Sequence, residues 1–190
     1  MRGESLDIAG MDEWIEAHFT RTAFRLEVLP QYTVPSDADN VADYLSGRAG
    51  PTWAQGGPWF DHLAAERASG KRRYRVRIVA EPTPYIRYEC EWGYVYTTAA
   101  GEEVYVLDPG EAVIPAHPLV DHDWWLLDDR HVLDMTYDSA GQFVGARPLE
   151  ESEAGPYIAC RDAVLAAARP FAEYWRDHPE LRRAATAGDP

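Results

Sequence analysis

From Lys71 to Ile78 the chain reads KRRYRVRI, and no other segment constrains the fold as strongly. Successive side chains of a β-strand point to opposite faces. Lys71, Arg73, Arg75 and Arg77 therefore share one face, and Tyr74, Val76 and Ile78 the other. Thr83-Pro84 then reads as a helix start, a hydroxyl cap with proline at the first helical position. Tyr85, Arg87, Tyr88, Glu89, Glu91 and Trp92 follow at once, so a basic strand face meets a helix that bears acids, a base and aromatics. Two readings follow. The arginine row is a pocket for an anion or a docking face for an acidic group, or it is a solvated strand face paired with surrounding acids. The second is preferred from sequence, because exposed ion pairs are common and each contributes only about 0–1 kcal/mol.

The arginine row stands out because the chain is acidic overall, with 18 Lys+Arg against 32 Asp+Glu and a formal net charge of −14. That balance argues against direct, sequence-independent nucleic-acid binding, which needs phosphates neutralised by basic side chains. It also disfavours an anionic membrane surface and suits a basic partner. Cys90 and Cys160 show neither zinc spacing nor a redox pair and read as buried thiols, although a disulfide stays open. The opening Met-Arg-Gly-Glu-Ser has no apolar core of a signal peptide, and no apolar run approaches the length of a membrane span. A cytoplasmic location is expected. At 190 residues the chain is expected to form a single domain, its core spanning about 11–176, with 1–9 and 177–190 as flexible ends.

Periodicity and turn residues divide the remainder. Helices are expected at Gly10–His18, Asp37–Leu45 and Trp59–Ser69, from Pro84 toward Ala99, and from Gly155 to the proline at 170, with one more turn at Phe171–Trp175. Strands are expected at Ala23–Leu29, Glu103–Leu107, Asp123–Asp128, His131–Tyr137 and Gln142–Leu149. The Gly/Pro loop Ala49–Pro58 holds Trp53 and is followed by Trp59 and Phe60, and aromatics beside such a loop cover a core edge more often than they line a pocket mouth. The sum is an α+β fold: a mostly antiparallel, meander-connected sheet of about five or six strands with helices packed on one face.

Nucleophile elbows, P-loops and dinucleotide glycine signatures are missing. His117, His122 and His131 lie among aspartates, but their spacing matches no helical metal pair; no metal and no cofactor is assigned. The acid/base candidates are Glu89, Glu91, Asp123 and Asp138, with Glu89 and Asp123 preferred, since a carboxylate exchanges protons usefully only when burial or a like charge lifts its pKa. A ligand pocket would use Arg75, Arg77, Tyr85, Arg87, Glu89, Trp92, Trp124, Asp128 and Tyr137, between the arginine strand, the following helix and the DWWLLD strand. Tyr85 and Glu89 share a helix face, whereas Arg87 points elsewhere, and pairing of Arg75 or Arg77 with Glu89 is the plainer alternative.

The ordered series FRLEVLPQYTV, YRVRIVAEPTPYIRYECEWGY, GEEVYVLD, DWWLLDD and MTYDSAGQFVG resembles an uncharacterised actinomycete family, a domain of unknown function numbered 6879. The resemblance covers roughly Phe24 to Arg169. It implies a compact stand-alone domain, with no catalytic residues to carry over. Members often stand beside helix-turn-helix regulators, which implies a regulatory partner by association alone.

Two functions are therefore expected, in this order. The first is an acidic accessory protein that binds a basic partner such as a helix-turn-helix regulator. The second is a small-molecule binder or enzyme whose arginines hold an anionic group while aromatics stack and Glu89 or Asp123 moves a proton. A deep cavity lined by Arg75 or Arg77 together with Glu89 would favour the second, and a flat, solvated arginine face the first.

Overall fold

The computed structural model describes residues 5–51 and 57–183. Thr22–Glu27 (β1), Arg72–Ile78 (β2) and Glu103–Leu107 (β3) form a parallel core. Trp124–Leu127 (β4), His131–Tyr137 (β5) and Phe143–Pro148 (β6) extend it antiparallel from β1. The two-residue strand Arg169–Pro170 (β7) pairs antiparallel with β3, so the order is β6-β5-β4-β1-β2-β3-β7. The sheet is thus mixed and seven-stranded, which corrects the expected antiparallel meander of five or six.

Parallel neighbours need a crossover. Ala38–Leu45 (α2) and Pro58–Ala68 (α3) lie between β1 and β2. Pro84–Tyr88 (α4), a π-helical turn at Glu89–Tyr94 and Val95–Ala100 (α5) form one unbroken helix between β2 and β3. Gly101 ends it at φ 127, a conformation that favours glycine.

Helices cover both faces, not one. On one face Phe24, Leu26, Tyr74, Val76, Trp124 and Leu126 pack under Ala154–Ala167 (α6) through Tyr157, Cys160 and Val164. On the other, Ile8–His18 (α1) sets Ile15 against Ala23, Trp125, Leu127 and Leu133. At the far side of that same face, Ile86, Cys90 and Tyr94 join Phe171 and Tyr174 of Phe171–Asp177 (α7) over Val104 and Val106. Both cysteines are free and buried, in separate clusters.

Between these two apolar patches lies the charged face of β1 and β2. The arginine row is not solvated: Arg73 is 7% exposed and Arg77 0%. Alternation of polar and apolar residues is the signature of a sheet with one wet face. Here the polar face is closed by carboxylates delivered from other elements, so the same pattern belongs to a doubly covered parallel strand.

Candidate functional site

The parallel register sets Arg25 beside Arg75 and Glu27 beside Arg77. Two neighbouring guanidiniums would repel without a shared counter-charge. Glu27 supplies it, with Oε1 at 3.1 Å from Arg25 Nε and 2.9 Å from Arg75 Nη1. Glu102, just ahead of β3, accepts from Arg75 Nε at 2.9 Å and from Nη2 at 2.5 Å. Arg77 Nη2 lies 2.9 Å from Glu89 Oε2 on the π turn. Tyr94 donates to Glu27 at 3.1 Å, and Tyr32 donates to Asp123 at 2.6 Å. Asp123 also accepts from the Val28 amide and lies 3.6 Å from Arg25.

The helix that brings Glu89 is anchored at its start. The Thr83 hydroxyl accepts from the Ile86 amide at 3.2 Å and donates to the Pro30 carbonyl at 2.8 Å, tying the helix to the end of the β1 segment. A π turn adds a residue's width to a helix and is frequent at functional sites. Glu89, Trp92, Gly93 and Tyr94 of this turn reach a common cleft together with Tyr85 and Tyr88 before it and Thr97 after it.

That cleft has a volume of about 520 Å³ and is floored by Arg75, Glu89 and Glu102. Besides the aromatics of the helix, Trp59 and Phe60 of α3 wall it, and Ser36, Asp37 and Asn40 close a further side. Two adjoining hollows share parts of its lining. One holds Arg25, Glu27, Tyr32 and Tyr137 with Glu89, and the other Arg73, His62 and Trp125 with Arg75 and Trp59. Arg73 there is held bidentately by Glu66 at 2.8 and 2.7 Å.

Three guanidiniums (Arg25, Arg75, Arg77) thus face four carboxylates (Glu27, Glu89, Glu102, Asp123) in one contiguous cluster. Full ionisation would leave a surplus negative charge away from water, which is costly. The cluster distributes that stress unevenly. Burial alone would raise Glu27, but Arg25, Arg75 and Arg77 outweigh it and hold the carboxyl down to about 2. For Glu89 burial wins over Arg77, with Glu27 adding to it, and the carboxyl is pushed up to about 7. Asp123 is raised as well, chiefly by burial. Burial opposes the charge on all three arginines, yet their carboxylate partners keep them firmly cationic. Glu89 is therefore the group on the cleft floor able to exchange a proton near neutrality.

The family model described as "Domain of unknown function (DUF6879)" matches residues 9–176. The chain belongs to the DUF6879 family. No curated protein and no solved structure matches it.

In this DUF6879 chain the expected site residues divide into two groups. Arg75, Tyr85, Glu89 and Trp92 line the cleft, and Tyr137 lines the adjoining hollow, where its hydroxyl accepts from Arg25 at 3.2 Å. Arg77 and Asp123 lie in the charged cluster beneath. Trp124 does not join them: it is wholly buried on the opposite face, packed on Phe24 and Tyr157, with its indole N–H donating to the Leu119 carbonyl. Asp128 sits in the β4–β5 turn at φ 53 and accepts from the Thr20, Arg21 and Thr22 amides, a structural clamp. Arg87 turns outward to the Pro82 and Glu180 carbonyls. The third wall is thus α3 and residues 36–40, not β4. Trp53 lies outside the described residues, whereas its neighbour Trp59, 44% exposed, lines the cleft instead of covering a core edge.

Sequence reasoning missed Arg25, Glu27, Tyr32, Asp37, Tyr94, Thr97 and Glu102. Phe24-Arg25-Leu26-Glu27 repeats the alternation of β2, and that shared period was the available signal. What it lacks is the parallel register that lays the two rows side by side.

Proposed function

We propose that this DUF6879 domain binds a small molecule in the cleft above Arg75, Glu89 and Glu102, with Glu89 donating or accepting a proton toward it. The observation that carries the reading is a concave, aromatic-walled space of about 520 Å³ with a carboxyl poised near neutrality on its floor. Ligand sites are typically concave and mostly apolar, with a few convergent polar groups. Buried carboxyls lifted toward neutrality are common acid/base groups, and structural ion pairs also shift pKa values. A binding test is therefore the first one to make.

Gly93 offers a clean blocking site, because a Cβ built there meets nothing within 4 Å among the described residues. A thermal-shift screen of metabolite-sized compounds should find at least one that stabilises the wild type and leaves Gly93→Leu unmoved. A ligand at about 100 times its Kd adds about 2.7 kcal/mol. A screen with no stabilising compound, or an equal shift in Gly93→Leu, would count against the cleft.

A second reading, an acidic accessory protein for a basic partner such as a helix-turn-helix regulator, is supported by charge. With Arg25, Arg73, Arg75 and Arg77 turned inward beside acidic partners, the net charge of −14 is borne mostly on the outside. Such binding should weaken steeply as salt rises from about 50 to about 300 mM in a pull-down with a basic partner, since opposite charges steer best at low ionic strength. Salt-independent retention, or none at low salt, would argue against it.

A further inference from the structure

We infer that the cleft selects a cation: an amine or amidine group carried on a planar or aromatic body. This rests on the reading of the cleft as a small-molecule site and gives that site its polarity. The acids that line it are Asp37, Glu89 and Glu102, and among the described residues its one basic side chain is Arg75.

Arg75 is already neutralised by two carboxylates. Its Nε and Nη2 donate to Glu102, and its Nη1 donates to Glu27. An incoming carboxylate or phosphate would compete with Glu27 and Glu102 for a guanidinium whose charge they already balance, and it would sit beside three acids. A cation meets the reverse situation. The Glu102 side chain is 1% exposed, and its Oε2 has no hydrogen-bond partner among the described residues. The Thr97 hydroxyl oxygen and Glu89 Oε2 are likewise buried without one, the Arg77–Glu89 contact being an ion pair without hydrogen-bond alignment. Buried acceptors of this kind are costly unless a donor reaches them. A primary ammonium or an amidinium brings at least three N–H donors and no acceptor, which suits two carboxylate oxygens and a hydroxyl.

The walls fit the same chemistry. Tyr85, Tyr88, Trp92, Tyr94 and Trp59 are among the residues that line the cleft. The electron-rich face of an aromatic ring attracts a desolvated cation, as in cages for methylated amines. The protein uses the same contact close by, with the Arg183 guanidinium 5.0 Å from the Trp92 ring and 4.2 Å from that of Tyr44. Even with Glu89 protonated, Asp37 and Glu102 leave the lining with more negative than positive charge.

The experiment is calorimetric titration of the full chain with shape-matched probes that differ in charge: benzamidine and benzylamine, benzyl alcohol, and benzoate. The expected result is binding by benzamidine or benzylamine at least tenfold tighter than by benzyl alcohol, with benzoate weaker still. Glu102→Gln keeps one oxygen for Arg75 and removes the charge, so it should weaken the cationic probe at least tenfold and more than it weakens benzyl alcohol. If Glu102→Gln does not fold, the ranking of probes on the wild type decides alone. Benzoate or benzyl alcohol binding as tightly as the amines, with Gly93→Leu blocking it, would overturn the cation assignment and leave the cleft reading standing. No binding by any of the four overturns the assignment outright, and the wider metabolite screen then judges the cleft separately.

Discussion

Glu89 faces Arg77, Arg75 and Arg25 on the sheet, Glu27 beside them, and Tyr85, Cys90 and Tyr94 on its own helix. Its folded pKa of about 7 lies above the ordinary 4.5. Between those values the folded state holds a proton that the unfolded chain has lost, so this contribution to stability is present at low pH and falls away as pH rises through 7. Each tenfold gain in proton affinity on folding is equivalent to about 1.4 kcal/mol. Urea unfolding at pH 5, 6, 7 and 8 should show wild type losing stability relative to Glu89→Gln, which keeps the neutral form at every pH. Parallel curves would mean that Glu89 titrates normally. Glu27, held near 2, contributes in the opposite sense, its share being lost only as pH falls from the ordinary carboxylate range toward 2. A second residue-scale expectation concerns Arg77, which is wholly buried. Arg77→Met leaves an unpaired carboxyl and should cost about 3–5 kcal/mol at pH 8, because breaking one side of a buried pair strands the other. Adding Glu89→Gln should recover most of that loss. A double variant as unstable as the sum of the singles would show that the two are not coupled.

At the scale of elements, the cleft depends on how the segment after β1 is fastened. Tyr32 and Asp37 reach the charged face because Thr33 is pinned to the β5–β6 hairpin: its amide donates to the Gly141 carbonyl at 2.9 Å, and its hydroxyl donates to the Ala140 carbonyl. Gly141 is there for two physical reasons. Its φ is 75, and a Cβ would come within 2.4 Å of the Gln31 carbonyl oxygen, which is backbone and cannot swing aside. Gly141→Ala should therefore lower stability by about 2 kcal/mol or more and also weaken probe binding in the cleft. A variant as stable as wild type would refute the clamp. The turn itself was legible, since Asp138-Ser139-Ala140-Gly141 announces one; its contact with Gln31 was not. The long helix was equally legible from Thr83-Pro84 to Gly101. Its π turn was not: the residues it carries dock on distant partners, Tyr94 on Glu27 and Cys90 on the apolar patch.

Across the whole molecule the two faces of the sheet divide the work. One is an apolar layer under α6, and the other holds the charged cluster and the cleft between apolar flanks. Trp124 and Trp92 make the contrast testable. Trp124→Phe gives up packing and its indole hydrogen bond and should cost about 1–3 kcal/mol in unfolding while leaving probe binding intact. Trp92→Leu should reduce binding as well. Loss of binding in Trp124→Phe at temperatures where it is folded would mean that the faces are coupled. Among the described residues, no helix is long and apolar enough to cross a membrane.

Most of the elements can be read from local pattern, because alternation, caps and turn glycines act within a few residues. The α+β class follows from them, and so does the clustering of Arg75, Tyr85, Glu89 and Trp92 around one turn of chain. The number of strands, the parallel core, the coverage of both faces and the burial of the arginines depend on contacts between segments far apart in sequence. Glu27 and Glu102 decide the last of these. An arginine row is driven to water or to a partner, and only the tertiary structure brings those carboxylates within about 3 Å and turns what looked like an outer face into the floor of a cleft.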